Sequence, residues 1–347
     1  MVFGCEVTNN LTIICQFSQK TYFQTSNMFI DILITLVGAA LVLIGADKLT
    51  DGAVGLARRF HIPELVIGLT IVAFGTSLPE FIVSLLASIN HAPSMSIGNI
   101  VGSNLFNTLM IVGCSALMCP IVVSKGTVAK DIPFSVLASV VLPALALDTL
   151  ITQSGRGDVL SRGDGVILLV FFVIFMVYSF SMVKGKTPDF HDADAGPAMS
   201  SWKITLYLLL GLAGLIGGGE LFVDGATGIA RSLGVSEAVI GLTLVAGGTS
   251  LPELATSVIA ARKGQSAMAI GNVVGSNLFN VFWILGCCAC ISPMPVDGIV
   301  WTDFAVLLCA NILFWLFART SHRVVRFEGA VLVACYVAYI AYLISQM

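Results

Sequence analysis

The sequence has few charged residues and few histidines. Only 11% of its 347 residues are Asp, Glu, Lys or Arg, against about 25% in a typical soluble domain. There are four histidines, and neither an HExxH nor a GxSxG motif occurs. These absences argue against a soluble fold and against an intramembrane enzyme. A formal net charge of −3 also gives no basic field that would attract nucleic acid.

Apolar residues make up 57% of the chain, and the mean hydropathy is +0.96. A bilayer core of roughly 30 Å needs about 20 apolar residues per helix, and stretches of that kind recur ten times. The sequence therefore predicts an all-α membrane protein with ten transmembrane helices. We expect these near 29–58, 63–90, 94–119, 127–149, 163–184, 202–232, 236–262, 266–291, 299–319 and 324–345.

The ten helices divide the chain into two halves of five. Residues 28–184 form the first half and residues 202–347 the second, and we expect a cytoplasmic linker at 185–201. Its aspartates lack the spacing of an EF-hand loop, so a solvated acidic linker is the preferred interpretation. Residues 1–27 are polar, and we expect them to form a disordered N-terminal extension.

Basic residues are distributed unevenly between the two sets of connections. Twelve Lys and Arg lie in the connections after helices 1, 3, 5, 7 and 9, whereas four lie on the side of the termini. Cytoplasmic connections carry the excess of Lys and Arg. The sequence therefore predicts a plasma (inner) membrane protein with both termini outside.

The two halves contain an internal repeat. Residues 68–80 read GLTIVAFGTSLPE and residues 241–253 read GLTLVAGGTSLPE, while 98–107 and 271–280 read GNIVGSNLFN and GNVVGSNLFN. Both pairs are offset by 173 residues, with 11 of 13 and 9 of 10 positions identical. Because each half has an odd number of spans, the second half is inverted relative to the first. Secondary transporters with this architecture bind substrate near the membrane midplane, where the repeats meet.

Glu80 and Glu253 are repeated acids inside apolar helices. An acid in such a position is unfavourable by several kcal/mol, and no basic partner is encoded nearby in the repeats. Each Glu is therefore protonated or neutralised by a bound cation, and a structural salt bridge is the weaker interpretation. Side-chain oxygens recur on the same helical faces and on the next helix, at Thr76, Ser77, Ser103, Asn107, Thr249, Ser250, Ser276 and Asn280.

Pro79 and Pro252 interrupt the backbone beside each acid. Proline cannot donate the helical hydrogen bond, so the carbonyls of Gly75 and Gly248 lose a partner. In a membrane, such carbonyls persist where protein, water or an ion satisfies them. An ordinary proline kink is the alternative, but the kink, the acid, the hydroxyls and the amide recur together twice. Oxygen donors alone suit Ca²⁺ and Na⁺ and disfavour zinc or copper.

The doubled GTSLPE and GNxxGSN motifs resemble the alpha-repeats of the calcium/cation antiporter superfamily, the sodium/calcium exchangers, in their short prokaryotic form. The resemblance implies exchange of Ca²⁺ for Na⁺ by alternating access, with no prosthetic group. It also implies gating by helices 1 and 6. The ion ligands that it implies are Glu80, Thr76, Ser77, Ser103, Asn107, Glu253, Thr249, Ser250, Ser276, Asn280 and the backbone carbonyls of Ala73 and Ala246.

Several alternatives remain open from the sequence. Asn107 and Asn280 are both amides, whereas the potassium-dependent branch of the family relies on an acid there, so potassium dependence is disfavoured. The counter-ion is Na⁺ or H⁺, and a Ca²⁺/H⁺ antiporter would use the same two Glu. An ion channel is disfavoured because no filter-like loop is present. Four acids in helices 1 and 6 line aqueous passages or are interfacial charges, namely Asp47, Asp51, Glu220 and Asp224.

Overall fold

A computed structural model describes residues 28–90, 93–147, 149, 158–185, 199–235, 240, 246–296 and 301–346. The expectations for residues 1–27 and for most of the linker 185–201 lie outside these ranges.

Eleven helices account for most of the described chain. In chain order they are α1 (Met28–Phe60), α2 (Glu64–Thr76), α3 (Leu78–Ile89), α4 (Met95–Met118), α5 (Thr127–Ala146), α6 (Arg162–Gly185), α7 (Ser201–Ser232), α8 (Leu251–Arg262), α9 (Ser266–Ile291), α10 (Trp301–Ser321) and α11 (Arg326–Gln346).

Eight of these helices are long and apolar enough to cross a membrane within the described residues. Helices α2 and α3 meet at a bend of 48° and pass the same test only together, which makes them a ninth candidate span. The bend lies just before Pro79, where the missing proline donor predicts it. The stretch expected at 236–262 is described only in part, by a helical turn at Ala246–Gly248 and by α8. The number of ten spans therefore stays a prediction.

The long helices α1 and α7 pack against each other along rows of glycine. A Cβ built on Gly45 would lie 2.7 Å from the backbone nitrogen of Leu215, and one on Gly218 would lie 2.8 Å from that of Val42. Residues with increasing numbers along α1 contact residues with decreasing numbers along α7. The two helices are therefore antiparallel. Only glycine allows backbones to approach this closely.

Helices α4 and α9 form the centre of the molecule. In each of them 78% of the residues in the most apolar window are buried, compared with 17% in α1 and 22% in α7. Their buried side chains include Ile100, Leu105, Val274 and Phe282, which belong to one continuous hydrophobic cluster. The repeated GNxxGSN motifs therefore lie in the most enclosed part of the fold.

Within the described ranges, two short antiparallel strand pairs connect the halves. Strand β1 (Ile121–Val122) pairs with β4 (Arg323–Val324), and β2 (Val159–Leu160) pairs with β3 (Met294–Pro295). The strands β1 and β3 are related by the 173-residue offset. Each half thus provides one strand to both pairs, and each pair joins one half to the other.

Candidate functional site

The two repeated acids lie in the first turns of equivalent helices. Glu80 is in α3 and Glu253 in α8, and their exposed fractions are 1% and 0%. Each helix starts anew after a non-helical serine, Ser77 (φ −83°, ψ 8°) or Ser250 (φ −91°, ψ 8°). The following proline fits the first turn, where no backbone donor is needed. The repeated sequence therefore produces the same break twice and puts an acid just beyond it.

The two acids are joined to the opposite halves by crossed hydrogen bonds. Ser77 Oγ donates to Glu253 Oε1 at 2.9 Å, and Ser250 Oγ donates to Glu80 Oε1 at 2.8 Å. Each serine lies three residues before the Glu of its own half but bonds the Glu of the other half. The structure thus brings both GTSLPE motifs into a single site at the junction of the halves.

Buried polar atoms without hydrogen-bond partners are concentrated at this site. Among the described residues sixteen such side-chain atoms occur, and seven of them belong to expected ligands. A buried unsatisfied group costs about 1–3 kcal/mol, and more when it is charged, so a cation that bound these atoms would relieve a large penalty. The seven are Glu80 Oε2, Glu253 Oε2, Ser103 Oγ, Ser276 Oγ, Asn107 Oδ1, Asn107 Nδ2 and Asn280 Oδ1.

The remaining expected ligands lie on the helix ends beside the acids. Thr76 and Ala73 are fully buried in the last turns of α2. Thr249 is half-buried in the turn that precedes α8, and Ala246 begins the short helical turn before it. The structure therefore places all twelve expected residues on the helix breaks of the two halves or on α4 and α9.

The two amides expected as ligands lie in π-helical turns, which the sequence reasoning missed. Asn107 is in the π-helical segment Phe106–Ile111 of α4, and Asn280 is in Phe279–Leu285 of α9. A further π turn, Gly68–Val72, precedes Ala73 in α2. Such turns insert one residue into the helix and occur often at functional sites. No residue pattern in the repeats signals them.

The sequence reasoning also missed the first asparagine of each GNxxGSN motif. Asn99 Nδ2 donates to Ser84 Oγ at 3.0 Å, and Asn272 Nδ2 donates to Ser257 Oγ at 2.9 Å. The same nitrogens reach the backbone carbonyls of Glu80 and Glu253 at 3.5 and 3.4 Å. Both asparagines follow the first glycine of GNxxGSN, so their repetition at the 173-residue offset was a visible signal.

Amides also connect α4 to α9 directly. Asn104 Nδ2 donates to the carbonyl of Asn277 at 3.2 Å, and Asn277 Nδ2 donates to Thr108 Oγ1 at 2.9 Å. Asn280 Nδ2 donates to Asn104 Oδ1 at 2.9 Å, so its own Oδ1 is its remaining polar atom. These bonds fix the two central helices against each other on one side of the site.

The donor set is made of oxygen. Within the described chain no group of three or more His, Cys, Asp and Glu could hold a metal ion, so the charge of this site comes from two carboxylates. Hydroxyls, amide oxygens and backbone carbonyls complete it. This chemistry suits hard cations such as Ca²⁺ and Na⁺. A membrane-spanning helical bundle that encloses such a set between two halves is typical of a cation transporter.

The family to which this transporter belongs follows from its sequence profile. The profile described as "Sodium/calcium exchanger protein" matches residues 30–181 and 203–345, which is most of the chain. The chain belongs to the sodium/calcium exchanger family, whose members are transporters rather than enzymes.

Relatives of nearly the same length agree with this assignment. The chain is 31% identical over 344 residues to the sodium/calcium exchanger MaX1 of Methanosarcina acetivorans, covering 90% of this chain and 98% of that protein. It is 35% identical over 325 residues to the inner membrane protein YrbG of Escherichia coli, with coverages of 91% and 97%.

The fold also matches a solved exchanger. The sodium-calcium exchanger NCX_Mj superposes with a TM-score of 0.76 at 36% identity, over 90% of this chain and 99% of that chain. The resemblance to short prokaryotic exchangers is therefore confirmed, and the protein is a multi-pass membrane cation antiporter.

Proposed function

We propose that this protein exchanges Ca²⁺ for Na⁺ across the membrane by alternating access to one site at the junction of its halves. The observation that carries the proposal is the crossed pair of acids. Glu80 and Glu253 are each held through Oε1 by a serine of the opposite half, and each keeps a buried Oε2 without a hydrogen-bond partner. A cation between the halves satisfies both oxygens at once.

Charge balance explains why Ca²⁺ and the counter-ions would not occupy the site at the same time. The ionised acids give the site a charge of −2, which one Ca²⁺ neutralises. Several Na⁺ ions, or two protons, would use the same carboxylates as the alternative load. Because both loads need the same oxygens, they occupy the site in turn, as exchange requires.

We also propose that the ten spans form two inverted repeats of five. The antiparallel packing of α1 and α7, the first helices of the halves, is the orientation that inversion produces. The strand pairs give independent support. Paired strands lie at the same membrane face, so the number of crossings between β1 and β4, and between β2 and β3, is even. That parity holds only if the partly described stretch 236–262 also crosses the membrane.

We assign the protein to the plasma (inner) membrane with both termini outside. The excess of Lys and Arg in one set of connections supports this orientation, and the relative YrbG is named an inner membrane protein. Reporter fusions after Gln346 would test it. A reporter active only outside the cytoplasm is expected to work there, and activity of a cytoplasmic reporter would reverse the assignment.

The exchange proposal is tested by ⁴⁵Ca²⁺ uptake into proteoliposomes loaded with Na⁺. Controls lack Na⁺ and either carry or lack a pH gradient. Glu80→Gln and Glu253→Gln keep the shape of the side chains but remove their charge, so we expect each to reduce uptake to background. Glu328→Gln is the matched control, because Glu328 lies in the first turn of α11 and binds the backbone nitrogen of Val325.

The outcomes separate the candidate functions. Uptake that needs the Na⁺ gradient and is lost in both site variants would support Na⁺/Ca²⁺ exchange. Uptake driven by the pH gradient alone would make the protein a Ca²⁺/H⁺ antiporter with the same acids. If folded protein moved no Ca²⁺ under either gradient, the calcium assignment would be wrong.

A further inference from the structure

The hydroxyl of Thr76 has one proton and several acceptors within reach, one of which is the carboxylate of Glu253. Its Oγ1 lies 3.1 Å from the carbonyl of Val72, 3.4 Å from that of Ala73 and 3.1 Å from Asn272 Oδ1. A helical threonine ordinarily returns its proton to a carbonyl of the preceding turn. Here a side chain of the opposite half competes for that proton.

The orientation of the Asn272 amide is fixed by its nitrogen. Nδ2 donates to Ser257 Oγ at 2.9 Å and approaches the carbonyl of Glu253 at 3.4 Å, so Oδ1 faces the other way. An amide oxygen can only accept, and therefore Thr76 must be the donor in their contact. Asn272 is fully buried, so no solvent competes for this oxygen.

The position of this proton decides which lone pairs are available to an ion. The Ala73 carbonyl already accepts from the backbone nitrogen of Ser77 at 3.0 Å, so it has one lone pair left. With the Thr76 proton directed to Asn272 or to Val72, that lone pair and those of Thr76 Oγ1 stay open. With the proton directed to Ala73, the last lone pair of that carbonyl is occupied. Both oxygens are among the expected ligands, so the amide controls two of them through one hydrogen bond.

We propose that Asn272 is a positioning residue that draws the Thr76 proton away from the Ala73 carbonyl and so keeps a lone pair on each of these two oxygens open to the transported cation. The proposal rests on the exchange function proposed above. It also gives the second half control over ligands of the first half, because Asn272 is on α9 and Thr76 on α2.

The test compares two buried asparagines that make similar bonds. Asn311 accepts from Ser135 Oγ at 2.9 Å and donates to the carbonyl of Leu307 at 3.0 Å, but it lies on α10 and is not among the expected ligands. We would measure half-saturating Na⁺ and Ca²⁺ concentrations for thermal stabilisation of purified protein, with Asn272→Leu and Asn311→Leu. Thr76→Val and the Thr76→Val/Asn272→Leu double variant complete a cycle.

We expect Asn272→Leu to raise at least one half-saturating concentration about fivefold, as loss of one hydrogen bond implies. Asn311→Leu is expected to lower thermal stability without changing either concentration. In the Thr76→Val background, Asn272→Leu should add little, because the hydroxyl through which it acts is gone.

Additive effects in the cycle, or unchanged half-saturation in Asn272→Leu, would overturn the proposal. Because binding is measured without transport, a wild type that bound cations but did not exchange them would contradict only the exchange function. If Asn272→Leu does not fold, Asn272→Ala replaces it: this smaller side chain also lacks an acceptor for Thr76, and its non-additivity with Thr76→Val decides the same question.

Discussion

The second halves of α1 and α7 are equivalent in the repeat but differ in their packing. In α1 the side chains of Thr50, Ala53 and Ala57 are fully buried, whereas their counterparts in α7, 173 residues later, are only half-buried. The end of α1 lies against the ends of α8 and α9, in a cluster with Ala260 and Met268. One sequence pattern thus gives a closed contact at one end of the molecule and a looser one at the other.

Two unrepeated lysines accompany this difference, and one of them, Lys48, lies 3.2 Å from Asp47. Lys263, just after α8, lies 2.6 Å from Asp47 and 2.6 Å from Asp51 of α1. In the other half the two acids are retained as Glu220 and Asp224, both exposed, but the position of Lys263 is occupied by Asn90. Repeated helices can therefore share a backbone arrangement while a few unrepeated charged residues distinguish their ends.

The comparison assumes that α1 and α7 pack together as one unit. Substitutions in the glycine rows test this assumption, and we expect them to have the largest effect on stability. We expect Gly45→Val to destabilise the protein by about 3 kcal/mol, because a Cβ there would lie 2.7 Å from the Leu215 backbone and overpacking shifts whole helices. Thermal unfolding of purified protein measures this. Gly219→Val is the control, since nothing lies within 4 Å of a Cβ at that position. Equal losses in both variants would contradict close packing as the cause.

The crossed serine bonds sharpen the comparison because they do not differ between halves. Ser77→Ala and Ser250→Ala each remove one bond to a carboxylate, at 2.9 and 2.8 Å. Hydrogen bonds to charged groups contribute about 1.5–3 kcal/mol, so we expect similar increases in the Ca²⁺ concentration for half-maximal exchange. Uptake assays across a Ca²⁺ series measure this. An effect confined to one serine would show that the asymmetry of the helix ends extends into the site.

Exchanging the residue types at Lys263 and its counterpart Asn90 should give the smallest of the three effects. Partly exposed ion pairs contribute at most about 1 kcal/mol, so we expect Lys263→Asn to increase labelling of a cysteine placed at Ala57 roughly fivefold. Labelling at Ala57 is measured from the predicted cytoplasmic side and labelling at Ala230 from the predicted outer side, in a background without the native cysteines. Asn90→Lys, which introduces a lysine at the position equivalent to Lys263, should reduce labelling at Ala230. Unchanged labelling in both variants would mean that the charges do not hold these ends.

The repeat was sufficient to predict that the acids and serines of both GTSLPE motifs share one site, because residues that recur at a constant offset identify equivalent positions. It did not predict that each serine bonds the acid of the other half. The bend before Pro79 was predictable for a local reason, namely a missing donor. The π turns around Asn107 and Asn280 were not, since they arise from packing within α4 and α9. The Lys263 contacts were missed because they depart from the repeat, and two-residue strands such as β1 are too short to produce any sequence period.

The exchange of strands between halves has a consequence for biosynthesis. Strand β1 is complete early, but its partner β4 comes roughly 200 residues later, which at about 5–20 residues per second is a delay of roughly 10–40 s. During that interval the nascent first half carries an unsatisfied edge at the membrane surface. Assembly can close only when the connection before α11 leaves the ribosome, so a chain that stops short of Arg323 would lack the partner that completes its first half.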